Sequence, residues 1–188
     1  MAAEEQLLER AQTGEEAAFT DLVRLYERRL RAYARAMVHN DEDADDLTQE
    51  ALLRIFRALP LFQRQSSFST WAFRILTRVC LDHLRQCRRR PQGGTPPSDQ
   101  EDLFILPDKG PGPEELLLQA ELRASLRAAL AQLPVEQRLV VVLHDVCAFK
   151  YREIATIAKC SEGTVKSRLF TARARLRQLL GLIGETGG

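Results

Sequence analysis

Residues Tyr151–Leu180, YREIATIAKCSEGTVKSRLFTARARLRQLL, govern the reading of the whole chain. They predict a short helix, a tight turn and a long basic helix. Ile154, Ala155 and Ala158 form the apolar face of the first helix. Val165, Leu169, Ala172, Leu176 and Leu179 recur at steps of three and four, which gives the second helix one buried stripe. Ser161 stands where its hydroxyl can accept an orphan backbone N–H, and Glu162 follows in the positive first turn. Off the stripe lie Lys166, Ser167, Arg168, Phe170, Thr171, Arg173, Arg175 and Arg177. Cations suit phosphates, and short polar or aromatic groups suit base edges, so the pattern is a helix-turn-helix with a DNA-facing surface. A solvated basic helix on an ordinary bundle is the plainer alternative. It explains the charges but not the turn, the cap and the stripe together.

The 188 residues allow one medium domain or two small ones. With 27 basic and 26 acidic side chains, net charge says nothing about a nucleic-acid partner, but the distribution does. Arg64, Arg74, Arg78, Arg85, Arg88, Arg89 and Arg90 face the lone acid Asp82 between Gln63 and Arg90. The reverse holds from Asp99 to Glu121, where Lys109 stands alone among Asp99, Glu101, Asp102, Asp108, Glu114, Glu115 and Glu121. Charge sorted into blocks implies separate tasks for separate segments. The strongest apolar run, Leu139–Leu143, is far too short to span a bilayer, and no cationic start precedes an apolar stretch, so a soluble intracellular protein is expected. Cys80, Cys87, Cys147 and Cys160 form no C-x-x-C pair, and His39, His83 and His144 complete no zinc spacing. Cys80 and Cys87 lie about 10 Å apart along one helix, too far for a disulfide. All four are expected to be small buried hydrophobes.

Taken in order, Thr13 and Glu16 suggest a capping box opening a helix to about Val38, with Phe19, Leu22, Val23, Tyr26, Leu30, Tyr33 and Met37 as its stripe. The pattern admits a shorter helix over residues 4–12 before it. The acidic run Asp41, Glu42, Asp43, Asp45, Asp46 lacks the glycine of a calcium loop; instead Asp43 is expected to cap a helix over Ala44–Leu59. Leu47, Ala51, Ile55 and Leu59 are its ridge, and Leu52, Leu53 and Phe56 add more apolar surface than one contact needs. Either the helix is deeply buried or it meets a partner. After the loop LFQRQSS, capped at Ser67, a helix runs from Phe68 to about Arg88. Ala72, Ile75, Leu76 and Val79 line one side, Arg74, Arg78, Arg85 and Arg88 the other, with Leu81 an apolar exception. Trp71 sits at the border, either stacking on an unpaired base or buried at a core edge. Pro91–Pro113 reads as a Gly/Pro linker, followed by a helix to about Gln132 with Leu118, Leu122, Leu126 and Leu130 as its stripe, then another from Val135 to about Val146. Gly184–Gly188 is expected to fray. The fold class is all-α: two small helical domains joined by a flexible linker.

Two segments together carry a resemblance. DADDLTQEALLRIFRAL, followed by FQRQSSFSTWAFRILTRVCLDHLRQCRRR, resembles region 2 of bacterial sigma factors of the extracytoplasmic-function group. LPVEQRLVVVLHDV, followed by the opening stretch, resembles region 4, with YREIA and GTVKSR close to the sigma-E-like type. The resemblance implies a non-enzymatic promoter-recognition subunit of RNA polymerase, with no cofactor and no small-molecule substrate. It divides the chain into region 2 over 1–90, an acidic linker over 91–113 that threads toward the active-site cleft and RNA exit path, and region 4 over 114–183. Asp46, Leu47, Gln49, Glu50, Leu53, Arg54 and Arg57 would bind the beta-prime clamp helices of core polymerase, and region 4 would meet the beta flap. Arg64, Gln65, Ser66 and Ser67 would surround a flipped base of the promoter −10 element, with Trp71, Arg74, Arg78 and Asp82 facing the strand. Lys166, Ser167, Phe170 and Thr171 would read the −35 element, with Arg168 and Arg173 on phosphates. The same resemblance implies an anti-sigma factor as regulator, and a cytoplasmic protein that joins the nucleoid when active or is held at the membrane by that regulator.

Three departures stand out. Lys150 occupies a position usually held by a capping Ser or Thr, and Lys159 one where many members place Gly. A left-handed Lys159 would carry about 1 kcal/mol of strain. Thr171 stands where some members carry Arg, so −35 specificity is not carried over. Two other functions compete with the sigma reading. One is an autonomous regulator that binds duplex DNA without polymerase. The other is an enzyme using the Asp41–Glu50 carboxylates, which no nucleophile or phosphate loop accompanies.

Overall fold

The computed structural model describes residues 2–38, 40–89 and 113–181, with side-chain detail in the last segment from residue 121. Every regular element among these residues is helical: α1 (Ala2–Gln12), α2 (Glu16–Arg24), α3 (Glu27–Val38), α4 (Asp41–Ala58), α5 (Phe68–Arg89), α6 (Pro113–Ala131), α7 (Val135–Val141), α8 (Tyr151–Ala158) and α9 (Glu162–Leu179). The expected linker up to Gly112 and the tail Gly184–Gly188 lie outside the described residues. No helix among those residues is long and apolar enough to cross a membrane.

The first bundle is α1–α5, built on Leu22, Leu30, Tyr33, Met37, Ile55, Phe73 and Leu76, all fully buried. The stripe expected for one long helix is the one buried, yet the helix is broken. The chain turns at Leu25–Tyr26, where the Tyr26 N–H reaches back to the Val23 carbonyl at 2.8 Å, so α2 and α3 share a stripe across a bend. The capping box does not form. Thr13 Oγ1 donates instead to the Arg10 carbonyl, closing α1, and Gly14 takes the positive φ of 93° that the turn requires. At α4 the cap is Asn40, not Asp43: its side-chain oxygen accepts from the Asp43 N–H at 3.1 Å. The acidic run has a structural use. Asp45 meets Arg31 at 3.1 Å and Asp41 meets Arg35 at 3.3 Å, so carboxylates of the first turns of α4 clamp α3.

The second bundle is α6–α9. Leu130, Leu139, Val140, Leu143, Ile154, Val165, Leu169 and Ala172 form its interior. Leu122, expected on the stripe of α6, is exposed. After α7 the chain widens into one π-helical turn, Val142–Val146, where the Cys147 N–H bonds to the Val142 carbonyl. Ala148 then takes φ 57° and redirects the chain into α8. Lys159 is left-handed, with φ 51° and ψ 50°, so the strain anticipated for a non-glycine turn is present. At Lys150 the missing hydroxyl cap is partly replaced: Glu153 Oε2 accepts from the Lys150 N–H at 2.9 Å.

The two bundles touch. α8 lies on α5, and the Phe73 and Phe149 rings meet edge to face at 4.8 Å. The Arg29 guanidinium sits 5.5 and 5.3 Å from those two ring centroids and donates to the Cys147 carbonyl at 2.5 Å. Arg138 is buried and donates to Met37 O at 2.5 Å and to Ala131 O and Leu133 O, both at 3.3 Å. One cation therefore satisfies carbonyls at the ends of α3 and α6, where the helix dipole is negative. Burial lowers the Arg138 pKa to about 10, which leaves it charged at neutral pH.

Candidate nucleic-acid interface

The turn of the helix-turn-helix is fixed by Ser161, whose hydroxyl accepts from the Thr164 N–H at 3.1 Å. With Val165, Leu169, Ala172 and Leu176 buried, the opposite face of α9 turns outward. Lys166, Ser167, Phe170, Thr171 and Arg173 are exposed, Phe170 by 75%, while Arg168 is half-buried. A large apolar ring so bare among cations is costly in water and useful against a thymine methyl or a base edge. Ser167 and Thr171 hydroxyls donate along the helix to the Thr164 and Ser167 carbonyls, leaving their lone pairs outward. Lys166 Nζ lies 5.9 Å from the Tyr151 ring centroid. Arg173 is tied down by Asp145, with His144 beside them. Burial pushes the Asp145 carboxyl up, but hydrogen bonds from Arg173 and His144 outweigh it and hold its pKa below the usual value. Between Tyr151 and α9 runs an apolar depression of about 750 Å³, floored by Leu169, Leu176 and Leu180 and rimmed by Lys166, Arg173 and Arg177.

The 63–67 loop leaves the first bundle between α4 and α5. Ser67 caps α5, accepting from the Thr70 N–H at 3.1 Å, and its own hydroxyl donates to Thr70 Oγ1. Gln63, Arg64, Gln65 and Ser67 are exposed and Ser66 half-buried. Arg64 has a positive φ of 55°, the strain of a bulky residue in a left-handed turn. Arg74, Arg78, Asp82 and Arg85 follow down one exposed face of α5, with Asp82 held between Arg78 at 4.0 Å and Arg85 at 2.9 Å. Trp71 does not join that face. It is 8% exposed, packed on Phe62 at 4.7 Å and Phe68 at 5.8 Å, and supports the loop from beneath instead of offering an open ring. Leu81 packs against the core, which accounts for an apolar residue beside the basic row.

On α4, Asp46, Gln49, Glu50, Leu53, Arg54 and Arg57 are exposed at steps of three and four, forming one outward stripe. Leu53 is 51% exposed, Phe56 is partly covered by Phe19, and Glu50 pairs with Arg54 at 2.7 Å. Leu47 instead packs half-buried against the core. The surplus apolar surface of α4 is therefore divided: Leu52 packs half-buried against the core, while Leu53 and the outer part of Phe56 face outward. Cys80 and Cys147 are buried, and burial raises both thiol pKa values to about 12. Cys87 departs from the expectation: it is exposed, 3.3 Å from His83 Nε2. Residues that the sequence did not single out include Arg29, Phe149 and Gln12. Arg138 alone left a trace, a cation beside the apolar run Leu139–Leu143.

The sequence profile for sigma-70 region 2 matches residues 22–90, and that for sigma-70 region 4 matches residues 123–176. RNA polymerase sigma-H factor of Pseudomonas aeruginosa is 33% identical over 181 residues, covering 94% of this chain and 93% of its own length. The ECF RNA polymerase sigma-E factor of Escherichia coli K12 is 34% identical over 175 residues, covering 89% and 88%. Among solved structures, the sigma factor RpoE of Bartonella quintana, bound to the anti-sigma factor NepR, aligns with a TM-score of 0.68 at 28% identity over 88% of this chain and 98% of that one. With both conserved regions matched in order, and with relatives aligned along almost the whole chain, the protein belongs to the sigma-70 family, in its extracytoplasmic-function, sigma-E-like branch.

Proposed function

We propose that the sigma function is divided between two surfaces: the 63–67 loop with α5 captures the −10 element, and α9 reads the −35 element in the major groove. The observation that carries this is the outward face of α9, where bare Phe170 stands among Lys166, Ser167 and Thr171. Residues 1–90 then serve polymerase and the −10 element, 114–183 serve the −35 element, and 91–113 join them. Opening the duplex requires flipping a non-template base, at a few kcal/mol of unstacking. Gln65, Ser66 and Ser67 supply short donors and acceptors for that base, and Arg74 and Arg78 supply charge for the strand. The α4 stripe, including Leu53, Arg54 and Arg57, is the contact with the clamp helices of polymerase. By analogy with the NepR complex of its relative, an anti-sigma factor regulates the chain. Work beside polymerase makes this a cytoplasmic protein; residence at the nucleoid or membrane depends on which partner holds it.

Run-off transcription with core polymerase on a promoter library tests the whole reading. Start sites should appear only when the protein is added. Strong footprinting by the free protein with no stimulated start site would favour the autonomous regulator instead. Lys166→Ala and Phe170→Ala are each expected to cost about 1–3 kcal/mol of −35 discrimination without loss of polymerase binding. Selection profiles that match the parent's would remove α9's outward face from the reading. Charge reversal at Arg54 and Arg57 is expected to lower affinity for core polymerase at least tenfold, with the melting temperature within a few degrees of the parent, because both side chains are exposed. Unchanged affinity, measured by fluorescence anisotropy, would mean the contact lies on another face.

A further inference from the structure

We propose that Gln12, on α1, is a positioning residue for promoter opening. Its side-chain Nε2 donates to the carbonyls of Phe62 at 2.9 Å and Leu59 at 3.3 Å, and its Oε1 accepts from Arg64 Nη2 at 3.2 Å. One amide therefore ties three points along a short span of chain: the start of the helical turn Leu59–Leu61 after α4, the residue from which the loop departs, and the loop's own cation. Leu59 and Phe62 are buried, so their backbones are anchored, whereas Arg64 is exposed and left-handed. A residue in a strained conformation holds it only where its surroundings over-determine it, and here the surroundings are α1. Two more α1 groups act on the same guanidinium: Glu9 lies 3.5 Å and Glu5 3.6 Å from Arg64 Nη1. Both are exposed, so their attraction is weak and screened; the directional constraint comes from the Gln12 amide, which is half-buried.

The matched region 2 begins at residue 22, so α1 lies outside it, yet α1 sets where the loop's cation points. The inference rests on the reading of the 63–67 loop as the pocket for a captured base. A loop held in one shape selects one base by shape and hydrogen bonding; a loop free to sample several shapes selects less and captures more slowly. Gln12 thereby governs base selectivity at a distance, without touching DNA.

The test compares holoenzymes carrying parent, Gln12→Met or Arg64→Ala/Gln65→Ala chains. Met keeps the length and volume of Gln and removes both hydrogen-bonding groups. Opening is followed by 2-aminopurine fluorescence on duplex promoters that carry each of the four bases at the captured position, and on a promoter already unpaired across the −10 element. Gln12→Met is expected to slow opening of the preferred duplex roughly tenfold, the factor of one lost hydrogen-bonded amide, and to compress the spread among the four bases. Assembly with core polymerase and activity on the unpaired promoter should stay within about twofold of the parent. A loss of fold alone would depress all four bases and the unpaired promoter together, and that result overturns the inference. So does a Gln12→Met spread equal to the parent's while the loop double variant compresses it, an outcome that leaves the loop's role standing. If neither variant alters the spread, the loop reading falls and the inference with it.

Discussion

A chain carrying Arg29→Cys and Ala148→Cys, joined by a short bismaleimide, is expected to lose run-off transcription to background. The two positions bracket the contact in which Arg29 donates to the Cys147 carbonyl at 2.5 Å, so a short cross-link spans them only when α3 and the turn before α8 are together. A compact chain of this length has a radius of gyration of about 16 Å, or roughly 40 Å across. The −10 and −35 elements are separated by about 25 base pairs, roughly 85 Å of duplex at 3.4 Å per pair. One closed body cannot reach both. The bundles must part, breaking the Phe73–Phe149 contact and withdrawing Arg29 from between the rings. Exposed Cys87 and half-buried Cys160 are replaced by Ser so that only the engineered pair reacts; Cys80 and Cys147 are buried with thiol pKa values raised to about 12. Before cross-linking, the variant should be at least as active as the parent, since it has lost a closing contact. A linker with a cleavable disulfide should restore transcription on reduction. Full activity in the linked chain would mean that the closed arrangement is compatible with promoter binding.

That closure was the least legible feature of the sequence. Arg29 and Cys147 are 118 residues apart, and Arg138 and Met37 are 101 apart; no local pattern joins either pair. The helix-turn-helix was legible because each part of its signal is local: a stripe with one period, a hydroxyl at the cap, cations on the remaining face. The bend between α2 and α3 escaped for the opposite reason. Leu22, Tyr26, Leu30, Tyr33 and Met37 stay in phase across it, and neither Gly nor Pro marks the turn. At α4 the Asn40 cap was masked by the acids that follow, whose carboxylates turn out to serve Arg31 and Arg35 of α3. The 63–67 loop was legible as a loop, but its support from α1 was not, because Gln12 bonds to a carbonyl 50 residues away.

Trp71→Ala is expected to destabilise the chain by about 3–5 kcal/mol and to abolish opening of the −10 element even in the fraction that remains folded. The ring is buried against Phe62 and Phe68, and Phe62 is the residue from which the 63–67 loop departs. Removing it leaves a cavity under the loop and takes away the surface that fixes Phe62. Against a total stability of about 5–15 kcal/mol, such a loss puts a large share of molecules at risk of unfolding. At about 2–4 °C per kcal/mol for a chain of this size, the melting temperature should fall by roughly 6–20 °C, measured by circular dichroism because Trp71 is the single tryptophan. Trp71→Phe separates support from direct recognition. A phenyl ring retains much of the stack with Phe62 and Phe68, so stability and promoter opening should both be largely recovered. If Trp71→Phe recovers stability but opens promoters no better than Trp71→Ala, the indole must leave the core and stack on the strand itself. Its burial against Phe62 and Phe68, both within the first bundle, would then describe the chain before the strand is captured, and the rearrangement would lie inside that bundle and not between the two.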